Sequence, residues 1–141
     1  MGVAMRVITG ANLWLLARTR GRIGWRFLGT PVLLLTTVGR RSGESRTLPL
    51  FYLRDGERLV LVASHGGTTR NPGWYRNLER NPRVVVQIGQ ERSEMLARTA
   101  TEAEARELWP KLTSFFRKWE DFQQRSRRTF PVVILSPPGQ R

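Results

Sequence analysis

The sequence predicts a mainly β, α+β domain: a small antiparallel barrel of about six strands with peripheral helices. Three observations carry this. Short apolar or alternating runs of strand length recur along the chain. Tight-turn pairs, Asp55-Gly56 and Gly89-Gln90, separate several of them. The segments between have helical spacing. With 141 residues, no internal repeat and no linker, the chain reads as one domain long enough to bury a core.

Residues 1–30 form a basic N-terminal helical segment ahead of a barrel over 31–136 and a tail over 137–141. Val7, Ile8, Ala11, Trp14 and Leu15 fit one face of a short helix, and Arg18, Arg20, Arg22 and Arg26 follow. Such a helix either packs on the core or lies on an anionic membrane surface. Residues 31–38 are an apolar run expected to be a buried strand. Leu48 to Leu53 and Arg58 to Ser64 are the next two, joined through Asp55-Gly56. A polar loop runs from Ser64 to Arg70. Asn71-Pro72 predicts a helix start, with Asn71 as cap and proline at the first helical position. That helix carries Trp74, Tyr75, Asn77 and Leu78 and ends near Asn81-Pro82. Val84 to Ile88 and Ser93 to Thr99 make a hairpin over Gly89-Gln90. Thr101 to Glu104 reads as a capping box, and Ala105, Leu108, Leu112, Phe115, Phe116 and Trp119 follow at helical spacing. Pro110 predicts a kink or restart. Pro131 to Leu135 is the last strand.

Composition narrows the chemistry. Lys and Arg total 24 against 11 acidic residues, a formal net charge of +13. Such a field attracts nucleic acid, an anionic membrane face or anionic small molecules. There is no cysteine, which excludes disulfides, thiolate metal sites and thiol nucleophiles. His65 is the single histidine, so no multi-histidine metal site is expected. No apolar run reaches the roughly 18 to 20 residues of a membrane span, and the N-terminal stretch lacks a signal-peptide pattern. The expected location is cytoplasmic, with a peripheral place at the inner face of the membrane left open by the basic N-terminus.

The densest chemical signal is Gly39 to Pro49. Two glycines bracket Arg40, Arg41 and Ser42, and Arg46 follows. Glycines let a ligand approach main-chain N–H groups, and arginine presents a fork of donors to phosphate or carboxylate. The turn reads either as an anion cradle or as a basic hairpin turn in water.

From about residue 30 onward the chain resembles the deazaflavin-dependent nitroreductase family, the actinobacterial split β-barrel proteins that use coenzyme F420. The matching stretches are Leu34 to Gly43, Arg46 to Leu50, Leu53 to Gly56, Val62 to Gly67, Asn71-Pro72, Trp74-Tyr75 with Asn77-Leu78, and Asn81-Pro82. Ala97-Arg98, Leu108-Trp109-Pro110 and Pro131-Val132-Val133 continue the series. The resemblance implies that Arg40, Arg41, Ser42 and Arg46 hold the phosphate and acidic tail of the cofactor. It implies that Thr47, Leu48, Pro49, Leu50 and Phe51 lie along it, and that Val62, Ala63, Ser64 and His65 contact it. Gly73, Trp74, Tyr75, Arg76 and Asn77 would close over it, with Trp119 against it.

Two departures stand out. His65 occupies a position commonly held by lysine. Phe116, Trp119 and Phe122 stand where nitro-reducing members carry tyrosines, so an aromatic wall survives without hydroxyls. With Phe51 these residues would form an apolar acceptor pocket, which suits a quinone and implies weak or absent nitroreductase activity. The implied reaction is hydride transfer from reduced coenzyme F420 to a hydrophobic, electron-poor acceptor. Ser64 and Tyr75 are the hydroxyls expected nearest the developing charge. The residues have plainer readings as well. Ser64 can cap its loop, Trp74 and Tyr75 can be core aromatics, Asn77 can be a helix surface residue, and the aromatics at spacing three can be one packed helix face. Two rival functions share the pattern: an FMN-binding split-barrel oxidoreductase and a basic nucleic-acid- or membrane-binding barrel. Nucleic acid is disfavoured, because the aromatics cluster in helical segments rather than alternating along strands. Oligomeric state is not legible.

Overall fold

The computed structural model describes residues 26–27, 30–64, 71–115, 119, 121, 123 and 129–139. Among them are eight strands: β1 (Arg26–Phe27), β2 (Thr30–Val38), β3 (Ser45–Phe51), β4 (Leu53–Asp55), β5 (Arg58–Val62), β6 (Arg83–Ile88), β7 (Glu91–Thr99) and β8 (Val132–Ser136). Helix α1 (Gly73–Arg80) lies between β5 and β6, and α2 (Glu102–Phe115) follows β7. The predicted N-terminal helix lies outside the described residues, although Arg26 and Phe27, assigned to that segment from sequence, form β1.

All strand pairings are antiparallel, in the order β3–β2–β6–β7–β8–β5–β4, with β1 on the start of β2. Phe51 is the last residue paired to β2 and Leu53 the first paired to β5. Two strands separated by Tyr52 alone therefore sit at opposite ends of the sheet order, and the sheet curls into a split half-barrel. The run Leu48 to Leu53, expected as one strand, is two. The break is a change of partner, which an apolar run cannot signal.

The curl gives the sheet an interior and an exterior. Inside, alternate residues Leu33 and Leu35, Val84 and Val86, Met95 and Ala97, Val133 and Leu135, and Leu59 and Leu61 meet, and Trp74, Tyr75 and Leu78 of α1 join them. The intervening residues of β5 and β8, Val60, Val62, Val132 and Ile134, form a second cluster with Leu108 and Leu112 of α2, Trp119 and Phe130. β5 and β8 are buried on both faces, so they read as continuous apolar runs rather than alternating ones.

Several local expectations shift. The β4–β5 turn holds Gly56 and Glu57, not Asp55 and Gly56. Asp55 pairs with Arg58 across it, reinforced by a 2.6 Å ion pair, and Gly56 takes φ +62°. At α1 the cap position belongs to Pro72, one residue later than expected. Helix α2 runs through Pro110 without ending. Proline removes one backbone donor there, while Leu108 and Leu112 on either side stay anchored in the outer cluster.

The capping box is present. The Thr101 N–H donates to Glu104 Oε1 at 2.9 Å, and the Glu104 N–H donates to Thr101 Oγ1 at 3.2 Å. Arg98 grips the same carboxylate through both terminal nitrogens, at 2.7 and 2.8 Å, tying β7 to α2. The Arg98 hydrogen bond, then the Thr101 backbone bond, pull the Glu104 pKa down from 4.5 to about 2. A folded-state value below the unfolded one stabilises above the unfolded pKa and is lost as pH falls from 4.5 toward 2. Thermal midpoints measured from pH 7 to pH 3 should therefore fall more steeply for the parent than for Glu104→Gln. Thr101→Ala should cost about 1 kcal/mol at pH 7 by chemical denaturation.

Candidate functional site

β2 and β3 pair in register from Val32 with Phe51 to Val38 with Ser45, and residues 39–44 connect them. The connection closes on itself: the Gly39 N–H donates to Glu44 O at 2.7 Å and the Gly43 N–H to Gly39 O at 2.9 Å. The two glycines are needed for different reasons. Gly43 takes φ +74° with open space around it. A Cβ on Gly39 would lie 2.9 Å from Ser42 Oγ and 3.1 Å from Glu44 O. Ser42 Oγ itself accepts the Glu44 N–H at 3.1 Å, so its hydroxyl shapes the turn.

The turn is joined to the first turns of α1 through one side chain. Asn77 Oδ1 accepts both the Arg40 main-chain N–H, at 3.2 Å, and Arg40 Nη1, at 2.9 Å. Asn77 Nδ2 donates to Thr37 Oγ1 at 3.1 Å. Asn77 is 6% exposed and Thr37 1%. Arg40 Nη1 also lies 3.5 Å from Gly73 O, the first carbonyl of α1. Thr37 was not singled out from sequence. A threonine inside a strand read as buried needs a polar partner, and that was the available signal.

The site is strongly cationic. Partial desolvation, then the charges of Arg76 and Arg41, lower the Arg40 pKa below the ordinary arginine value. Arg41, Arg46 and Arg76 are exposed. The Arg46–Glu44 pair is 4.0 Å apart and open to solvent, a contact worth at most about 1 kcal/mol. The arrangement leaves a concentration of guanidinium groups on a fixed turn, suited to an anion with more than one charge.

The other expected site residues divide by strand alternation. Leu48 and Leu50 turn to the interior cluster, while Phe51 packs on the outer one. Thr47 is exposed, with its hydroxyl 2.7 Å from that of Thr36, and Pro49 is buried. The side chains of the segment Thr47 to Phe51, expected to lie along the cofactor, are thus divided between two faces of β3. Val62 lies in the outer cluster and Ala63 in the interior one, where its N–H donates to Pro131 O at 2.9 Å. Ser64 is half-buried just past the end of β5. Trp74 and Tyr75 are core residues with rings edge-to-face at 6.3 Å, and the Tyr75 hydroxyl shares a 2.8 Å hydrogen bond with Thr99. Trp119 is 4% exposed in the outer cluster, against which Phe51 also packs. His65, Phe116 and Phe122 lie outside the described residues. The structure therefore gathers Arg40, Arg41, Ser42, Arg46, Gly73, Arg76 and Asn77 at one end of the β2–β3 hairpin, and places Trp74, Tyr75, Val62, Ala63 and Trp119 in the packing. No group of three or more metal-ligating side chains occurs among the described residues.

Comparison with known proteins follows the same chain. A family model described as F420H(2)-dependent quinone reductase matches residues 9–137. The F420H(2)-dependent quinone reductase Rv1261c of Mycobacterium tuberculosis (strain ATCC 25618 / H37Rv) is 38% identical over 122 residues, covering 84% of this chain and 82% of that protein. Among solved structures, the F420-H2 dependent reductase FDR-A matches with a TM-score of 0.70 at 32% identity, over 75% of this chain and 94% of its own. A second solved chain, described as a domain-swapped dimer, matches with a TM-score of 0.72 at 29% identity, over 90% of this chain and 100% of its own.

The packing around Gly39 generates a test of the turn. Gly39→Ala should destabilise the fold by about 1–3 kcal/mol, because a main-chain carbonyl must move to admit the methyl group. Gly43→Ala should cost about 1 kcal/mol from its backbone conformation alone. Urea denaturation of both variants measures the difference, and equal costs would contradict the packing.

Proposed function

This chain belongs to the F420H(2)-dependent quinone reductase family, and we propose that it transfers a hydride from reduced coenzyme F420 to a flat, hydrophobic quinone. The observation that carries this reading is the arginine turn: Arg40 held by Asn77, with Arg41, Arg46 and Arg76 around it. Coenzyme F420 carries a phosphodiester and a γ-glutamyl tail, so a cluster of guanidinium groups around one held arginine, Arg40, fits its charge. When bound, the coenzyme supplies a two-electron hydride donor at C5 of its reduced ring. Arg40, Arg41 and Arg46 hold the anionic part, and Arg76 on the exposed side of α1 adds a fourth positive charge. Ser64, at the end of a doubly buried strand, is the hydroxyl assigned to hydrogen-bond the acceptor as negative charge develops. Tyr75 was expected to share that role. Its burial and its bond to Thr99 favour instead the task of holding α1 against β7.

The family name specifies a quinone, the acceptor expected from sequence where the hydroxyls of the nitro-reducing members are missing. The apolar residues Phe51, Phe116, Trp119 and Phe122 agree with a quinone and offer no hydroxyl to a nitro group. The acceptor's hydrophobicity, together with Arg18, Arg20 and Arg22, favours peripheral contact with an anionic membrane. No helix among the described residues is long and apolar enough to cross one. FMN is the competing cofactor, since it too carries a phosphate.

A fluorescence titration of the purified protein with F420 and, separately, FMN tests the reading. F420 should bind, FMN should bind far more weakly, and the Arg41→Ala/Arg46→Ala double variant should lose about 10- to 100-fold in F420 affinity. A preference for FMN would overturn the cofactor assignment. For the membrane contact, replacing Arg18, Arg20 and Arg22 by glutamine should abolish co-sedimentation with phosphatidylglycerol vesicles. Unchanged sedimentation would remove it.

A further inference from the structure

The sequence resemblance put Asn77 among the groups that touch the cofactor; the geometry points to a different role. We propose that Asn77, backed by Thr37, is the positioning residue of the anion site: it fixes Arg40 for the charged part of the coenzyme and does not itself touch the coenzyme. This inference rests on the cofactor reading above.

Three features support it. One carbonyl oxygen, Asn77 Oδ1, receives both the main-chain N–H and the Nη1 of Arg40, at 3.2 and 2.9 Å. A single contact thus sets both the backbone of the turn and the direction of its first guanidinium. The Nε and Nη2 groups of Arg40 have no hydrogen-bond partner among the described residues, which leaves donors for a ligand. The amide nitrogen of Asn77 donates to Thr37 Oγ1 at 3.1 Å, and both side chains are buried, so the amide cannot rotate without stranding a polar group. Thr37 and Arg40 stand three positions apart at the end of β2, and Asn77 lies on the second turn of α1. The amide is therefore the clasp between the hairpin and the helix. It also opposes repulsion: Arg40 sits in the fields of Arg41 and Arg76, which would otherwise push its guanidinium away.

Asparagine fits this place because one planar group must accept from Arg40 and donate to Thr37. Aspartate offers acceptors only and would put a negative charge beside the cation that the ligand needs. Leucine matches the volume and supplies neither bond.

The test compares two ligands and two backgrounds. The ligands are F420 and the deazaflavin alcohol that lacks the phosphodiester and tail. Asn77→Leu and Asn77→Ala should weaken F420 about 10- to 100-fold, the loss expected when hydrogen bonds that hold a charged group are removed. The same variants should leave the tailless deazaflavin within about twofold. In steady-state assays the loss should fall on KM for the coenzyme rather than on kcat. In an Arg40→Ala background, Asn77→Ala should cost little further F420 affinity, because its effect acts through Arg40. Thr37→Val should reproduce part of the loss, and thermal midpoints separate it from unfolding. Equal affinity of parent and Asn77 variants for F420, equal losses with both ligands, or additivity in the Arg40→Ala background would each overturn the positioning role. A parent protein that binds neither ligand would instead overturn the cofactor reading on which the role rests.

Discussion

The architecture depends on the crossing at Tyr52. Phe51 ends a strand paired to β2, and Leu53 begins one paired to β5, at the other end of the sheet order. Joining the two ends of a seven-strand path through one residue obliges the sheet to curl. The curl creates an interior, and α1 contributes Trp74, Tyr75 and Leu78 to it. It also gives β5 and β8 two buried faces, so α2 and Trp119 have an apolar exterior to cover. β3, by contrast, keeps one edge without a strand partner among the described residues, and the arginine turn stands at the start of that edge.

The turn is a place where stability and binding oppose each other. Gathering Arg40, Arg41, Arg46 and Arg76 raises their mutual repulsion. Glu44 offsets little of it, at 4.0 Å and in water. The fold tolerates the cluster because three of the four arginines stay solvated and the fourth is tied by a neutral amide rather than a carboxylate. A carboxylate in place of Asn77 would relieve the repulsion and reduce the attraction for an anion together. The same chain does use a carboxylate where no ligand is concerned: Glu104 takes Arg98 in a two-bond grip that fixes α2.

Much of this was legible in the sequence, and the misses share a cause. Apolar runs and turn residues located β2, β6 and β7, and the Thr101 to Glu104 pattern gave the α2 start, because these are local rules obeyed locally. The Gly-Arg-Arg-Ser-Gly stretch gave the cationic turn for the same reason. The break at Tyr52 was hidden because strand partners are chosen by topology. Asn71 was expected at the cap position, yet that position belongs to Pro72, through which the chain enters α1 in extended conformation. Pro110 was expected to kink or restart the helix, and α2 passes through it as one element, with Leu108 and Leu112 packed on the outer cluster. Tyr75 and Trp119 looked like site residues by family pattern and are buried. The hydrogen bonds of Asn77 to Thr37 and Arg40 were hidden as well, because these partners lie about 40 positions away.

Pro49 on β3 bears on solubility. An unpaired strand edge is a template on which another chain can add a strand, and long exposed edges lead to aggregation. Proline has no N–H to offer such a strand, and Pro49 stands in the middle of β3, inside an unbroken register with β2. Arg46 adds a charge near the start of the same edge. Pro49 and Arg46 thus make the edge beside the basic turn a poor template for an added strand.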